Sequence, residues 1–166
     1  LLPRDPLPGL VQSLPQPLAA KICQSALLDG TRGEAGDWDP AALKSSNIRL
    51  LVDQAGSVSW SMRLQGHIVL QEDRRGYDAQ LVGWVTYQVA TKTISRFDLV
   101  VLGERWGNEG DPEDARPGRS LLGFVMHLDD SPLAPSIPPH SAREAAYFQV
   151  PGLDLPLPDP GSATAP

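Results

Sequence analysis

The sequence predicts a mainly β protein of the α+β kind: an antiparallel curved meander sheet or partial barrel of five to six strands, with one N-terminal helix and proline-rich extended arms. Three observations lead there. Two apolar-patterned runs, within Tyr77 to Gly103, flank the short polar break Ala90 to Thr93 and alternate with period two, as strand side chains do. Of the 17 prolines, five lie in residues 1–17 and nine in residues 130–166, so nearly all sit outside the alternating middle. Proline cannot donate to a ladder, which sets these ends apart from a sheet. Helical spacing of apolar residues is confined to one stretch near the N-terminus.

These features divide the chain into an arm over 1–17, a single antiparallel β domain with its helix over 18–130, and a second arm over 131–166. At 166 residues the chain is long enough for one ordinary core.

Ser13 before Leu14-Pro15 is read as a helix start. From Pro17 the residues Leu18, Ile22 and Ala26 form a helical stripe, broadened by Leu27 and Leu28 and stopped at Asp29-Gly30. Asp39-Pro40-Ala41-Ala42-Leu43 offers a capping carboxylate followed by proline, the signature of a short second helix or a single turn. Trp38 precedes that cap in the position of a hydrophobic staple.

A first strand is expected over Asn47 to Gln54. From Ser57 to Gln71, Val58, Trp60, Met62, Leu64, Ile68 and Leu70 mark one face, with Gly66 expected to be a bulge or bend. Across the following charged turn, Glu72 to Gly76, the hairpin puts Ala79, Leu81, Gly83, Val85 and Tyr87 on one face with Phe97, Leu99, Val101 and Gly103. Val82, Trp84, Ile94, Val100 and Leu102 fall on the other. After a loop over 104–120, Leu122, Phe124, Met126 and Leu128 give a last strand; within the C-terminal arm, Ser141 to Phe148 could form two helical turns.

The formal net charge of -6 argues against nucleic acid, whose affinity comes from clustered Lys and Arg. Arg74-Arg75 and the Arg116 to Arg119 segment read as local ion pairs or solvated surface. Cys23 is alone, which excludes an internal disulfide and a four-thiolate metal site, and its place on the helix makes it a small buried hydrophobe. No apolar run reaches the roughly 18 residues of a membrane span. The start at Leu1-Leu2-Pro3 fits either a cleaved leader or numbering from within a longer chain.

Chemistry is harder to place. Glu104, Asn108, Glu109, Asp111, Glu113 and Asp114 are oxygen donors of the kind calcium takes, but their spacing does not fit an EF-hand loop, so a solvated loop paired with Arg105, Arg116 and Arg119 is the better reading. Trp106 beside Gly107 either tucks over the sheet edge as a lid or stays exposed as a contact residue. Arg96 and Asp98 read as a structural ion pair. His67 and His127 could meet on adjacent strands, while His140 stands apart. There is no nucleophile elbow, dinucleotide fingerprint or P-loop, and no cofactor is implied.

Three segments, LLDGTRGEAGDW (27–38), SRFDLVVLGERWG (95–107) and ARPGRSLLGF (115–124), resemble an uncharacterised family of bacterial proteins predicted to be exported. The resemblance implies a β-rich fold and an extracytoplasmic setting, periplasmic or secreted, and carries no activity. The function expected is a non-catalytic accessory or binding subunit whose proline-rich arms contact other protein subunits, with Trp106, Arg105, Arg116, Arg119 and Trp84 as contact residues. The alternatives are a small-ligand carrier with Trp60 and Trp84 at an apolar pocket, and a hydrolase using Asp98 and a histidine.

Overall fold

Six antiparallel strands, each hydrogen-bonded to the next in sequence, make one open sheet in the order β1-β2-β3-β4-β5-β6. The computed structural model describes residues 2–3, 5–28, 37–107 and 118–129, all within the compact unit Leu1–Asp130. The strands are β1 (Val11–Ser13), β2 (Leu43–Ala55), β3 (Ser59–Gln71), β4 (Arg75–Gln88), β5 (Thr93–Gly107) and β6 (Arg119–His127). Between β1 and β2 lie helix α1 (Gln16–Ala26) and a 3₁₀ turn (Pro40–Ala42). The sheet does not close into a barrel, and among the described residues β1 and β6 are its two edges.

The expected alternation is the burial pattern except at two strand ends: Val58 precedes β3 and is exposed, and Ile94 packs against the core because the β4–β5 register shifts between Thr86 and Tyr87. Met62, Leu64, Ile68, Leu70, Tyr77, Ala79, Leu81, Val85, Leu99 and Val101 are buried on one face with Ile48, Leu50 and Val52 of β2. Each large aliphatic side chain so buried contributes about 1.5–3 kcal/mol. Phe97 and, from β6, Leu122, Phe124 and Met126 pack half-buried against this cluster. Val82, Trp84, Val100 and Leu102 point the other way and are exposed.

Helix α1 meets the core one residue out of phase with the expected stripe. Ala19, Cys23 and Leu27 are its buried positions, Leu18 and Ile22 flank them, and Ala26 is exposed. Small side chains at 19 and 23 let the helix lie close to the sheet, which a reading weighted to the largest apolar residues overlooks. Cys23 is fully buried, and desolvation pushes its thiol up to about 12. The lone cysteine is the hydrophobe it was expected to be.

The N-terminal arm is not separate from the domain as far as it is described. Val11–Ser13 pairs with Arg49–Leu51, extended by bonds from Gly9 N–H to Val52 C=O and from Leu14 N–H to Ile48 C=O, both 2.8 Å. Ser13 is therefore in a strand, and the helix starts after Pro15, whose C=O accepts from Leu18 and Ala19 at 3.0 Å. The prolines flank this short strand without interrupting it. The first long strand begins earlier than expected, at Leu43, directly from the 3₁₀ turn.

Gly66 is not a bulge. Its register with Ile48 and Leu81 is continuous, and β2 is irregular between Leu43 and Ser45 and between Val52 and Gln54. Gly66 lies where β2 comes so near that a Cβ would collide with the Asn47 carbonyl. Residues 29–36, 108–117 and 130–166, which hold the expected helix stop, most of the acidic loop, the helical turns at 141–148 and the C-terminal arm, lie outside the described residues.

Candidate functional site

Two arginine–tryptophan stacks close one end of the sheet. The first begins at the turn before β2, where the Asp39 carboxylate accepts from Ala41 N–H at 2.7 Å and so holds Trp38 in place. The buried Trp38 donates its indole N–H to Leu27 C=O at the end of α1, at 2.8 Å, which ties the helix terminus to this turn. The guanidinium of Arg75 lies 4.2 Å from the centre of the Trp38 ring. Arg75 comes from the tight β3–β4 hairpin, closed by Glu72 N–H to Arg75 C=O at 2.9 Å.

Arg75 is only 8% exposed. Its Nε donates to Glu72 Oε2 at 2.7 Å and its Nη2 to Asp37 C=O at 2.9 Å. Glu72 also accepts from Asp39 N–H at 2.7 Å. Burial works against the Glu72 charge, but the hydrogen bonds from Arg75 and Asp39 and the positive charges of Arg75 and Lys44 hold its carboxyl below the usual range.

The second stack stands beside the first, because the β4–β5 register pairs Arg75 with Gly107 and Gly76 with Trp106. Gly76 is the floor under the Trp106 indole, where a Cβ would collide with the ring. Arg119, at the start of β6, covers Trp106 at 4.2 Å and reaches Glu104 at 3.4 Å. Arg105 is buried and donates to Gly107 C=O at 3.0 Å. Beneath them Tyr77 donates its hydroxyl to Leu122 C=O at 2.8 Å and meets Phe124 edge-on; burial pushes its hydroxyl up to about 12. A polar cleft of about 710 Å³ opens beside the first stack, bounded by Asp37, Asp39, Lys44, Glu72, Asp73 and Arg74 among others.

Of the expected contact residues, the structure brings Trp106, Arg105 and Arg119 together here. Trp106 is not a loop lid: the expected loop from residue 104 is strand as far as Gly107, and Trp106, inside β5, is half-buried under Arg119. Arg116 lies outside the described residues. Trp38 and Glu72 carry no sequence signal of a site; of the two readings of Arg74-Arg75, Arg75 makes the local ion pair, with Glu72, and is buried under Trp38 rather than solvated. The described parts of the three segments quoted above, Asp37-Trp38, the strand to Gly107 and Gly118 onward, all reach this end.

Trp84 belongs to a second region, the open face. In register across β4, β5 and β6 run the rows Val82–Val100–Val125, Gln80–Leu102–Gly123 and Trp84–Asp98–His127. Val82, Trp84, Val100, Leu102, Leu121 and Val125 are all exposed there, Leu121 and Val125 each 76%. The neighbouring β2–β3 half of this face is polar, with Arg63 bonded to Asp53 at 2.9 Å and His67 to Asp78 at 2.6 Å.

Of the catalytic expectations, Asp98 and one histidine, His127, are brought directly opposite each other on β5 and β6. His67 on β3 and His127 on β6 are separated by β4 and β5. Asp98 is held by Arg96 at 2.5 Å, as a structural ion pair. Trp60 and Trp84 lie on opposite faces, Trp60 stacking on Tyr87 at 4.8 Å between ring centres, so they do not flank one pocket. Among the described residues no three His, Cys, Asp or Glu side chains could hold a metal ion, and no helix is long and apolar enough to cross a membrane. The chain matches no protein-family model, no curated protein and no solved structure.

Proposed function

We propose that the chain is a non-catalytic binding subunit of an extracytoplasmic assembly and that it recognises a protein partner through the open face of β4, β5 and β6. The observation that carries this reading is the unbroken apolar row Val82–Val100–Val125, with Trp84, Leu102 and Leu121 around it, exposed across three neighbouring strands. Contiguous exposed apolar surface of this kind marks interaction sites, and a tryptophan within it supplies a typical anchor. The polar half of the same face, with the Arg63–Asp53 ion pair and the His67–Asp78 hydrogen bond, supplies a rim. The arginine–tryptophan end supports the reading from behind: its guanidinium groups are engaged with Glu72, Glu104 and backbone carbonyls, which is the chemistry of a clamp that fixes turns in place. The extracytoplasmic setting is inferred from the resemblance of the three segments.

The test is purification of the full chain from its native source under mild conditions, alongside Val100→Lys and Leu102→Lys variants. Both positions face solvent, so the variants are expected to fold with unchanged circular dichroism. A stoichiometric partner retained by the wild type and lost by both variants is the expected result. A partner retained equally by all three would remove the open face from the interface.

A further inference from the structure

We infer that two copies of this chain associate edge to edge through β6, in antiparallel register about a two-fold axis at Gly123. This inference concerns the strand edge; it shares Leu121 and Val125 with the open face, and the cross-link at Gly123 tells the two apart.

The two sheet edges differ. β1 has only three residues, with Pro8 before it and Pro15 and Pro17 after it, a short edge of the kind that resists pairing. β6 has nine residues, Arg119–His127, with no proline, no acidic residue and no lysine, and its only arginine is at its first position. The bond from Leu128 N–H to Phe97 C=O, 2.8 Å, fixes the phase of the β5–β6 ladder. With antiparallel alternation, the even-numbered residues of β6 bond to β5. The N–H and C=O groups of Arg119, Leu121, Gly123, Val125 and His127 therefore point away from the sheet.

Among the described residues that edge has no neighbouring strand, and it is self-complementary. Rotation about Gly123 sets Gly123 opposite Gly123 of the second copy, Leu121 opposite Val125, and Arg119 opposite His127, all of them outward-bonding residues, so about ten new ladder hydrogen bonds form. On the outer face the two most exposed apolar side chains of the strand then cover each other. On the inner face the half-buried Leu122 comes opposite Phe124 of the second copy, extending the core across the joint. Shorter registers leave part of β6 unpaired. Pairing β6 with β1 of another copy would use only three residues, so the closed dimer is favoured over a chain of copies.

The experiment uses the full 166-residue protein in two measurements. Light scattering after gel filtration at tens of micromolar is expected to give twice the 17.9 kDa of one chain. The double variant L121K/V125K, which sets lysines opposite one another, is expected to give the monomer mass. Mild oxidation of Gly123→Cys is then expected to yield a covalent dimer. Opposed residues in such a pair have Cα atoms about 5.5 Å apart, within disulfide range. A Cβ at 123 has room, since its nearest neighbour is a Leu102 methyl at 3.4 Å, and the native Cys23 is buried and contributes no background. A monomeric wild type, a dimer of L121K/V125K, or a dimeric Gly123→Cys that does not cross-link would each overturn the inference.

Discussion

Glu72 is the residue on which the clamp turns. It accepts from the Arg75 guanidinium and from the Asp39 backbone, so it joins the β3–β4 hairpin to the turn that carries Trp38. Hydrogen bonds to charged groups contribute about 1.5–3 kcal/mol each, so Glu72→Gln is expected to cost about 2 kcal/mol at pH 7 by urea denaturation. The pH dependence has a definite sign. The folded-state carboxyl titrates below its ordinary 4.5, so its stabilisation is complete above that value and is lost as pH falls through the lower folded-state value. The wild type therefore loses stability below about pH 4.5 more steeply than Glu72→Gln, and the two stability curves converge in acid. Equal slopes would show that the carboxylate is not coupled to folding. The sequence displayed only half of this end of the molecule. Trp106 beside Gly107 in a polar stretch drew notice, and Arg119 with it; Arg75 did not, because a paired Arg74-Arg75 in a charged turn carries no local sign that one of the two folds back under a tryptophan 37 positions earlier in the chain.

At the scale of elements, the strands were readable because their information is local: period-two alternation in β3, β4 and β5 places one face in the core whichever neighbour each strand has. Two elements were not. Val11–Ser13 is too short to show alternation and becomes a strand only because β2 offers it an edge at Arg49–Leu51. Gly66 resembles a bulge in sequence, but what requires glycine there is the close approach of Asn47 from β2, a property of the sheet. Gly103 has the same role against Asp78 and Ala79 of β4. Overpacking of this sort costs about 1–3 kcal/mol, so Gly66→Ala and Gly103→Ala are each expected to lower stability by about 2 kcal/mol. Gly123→Ala is the control: with no neighbour closer than 3.4 Å, it is expected to be within about 0.5 kcal/mol of wild type. Thermal unfolding of the three variants in parallel checks this, and a Gly66→Ala as stable as Gly123→Ala would mean that the strands can part there without cost.

For the whole molecule, charge and edge pairing act against each other. Each copy has a formal net charge of -6 at pH 7, so two copies repel at long range, while the joint at β6 consists of backbone hydrogen bonds and the apolar pairs Leu121–Val125 and Leu122–Phe124. Salt screens the repulsion, whose reach falls from about 30 Å at 0.01 M to about 8 Å at 0.15 M, and leaves the apolar and ladder contributions nearly untouched. Dimerisation is therefore expected to strengthen as salt rises from 0.02 to 0.3 M, by about threefold or more in Kd measured by sedimentation equilibrium. An interface held by opposite charges would weaken over the same range. Because the dimer binds the folded state alone, its midpoint of thermal unfolding should also rise with protein concentration, and the double variant L121K/V125K should show no such rise. Association that weakens with salt would place the contact at a charged surface, such as the Arg63–Asp53 half of the open face, and away from the apolar edge of β6.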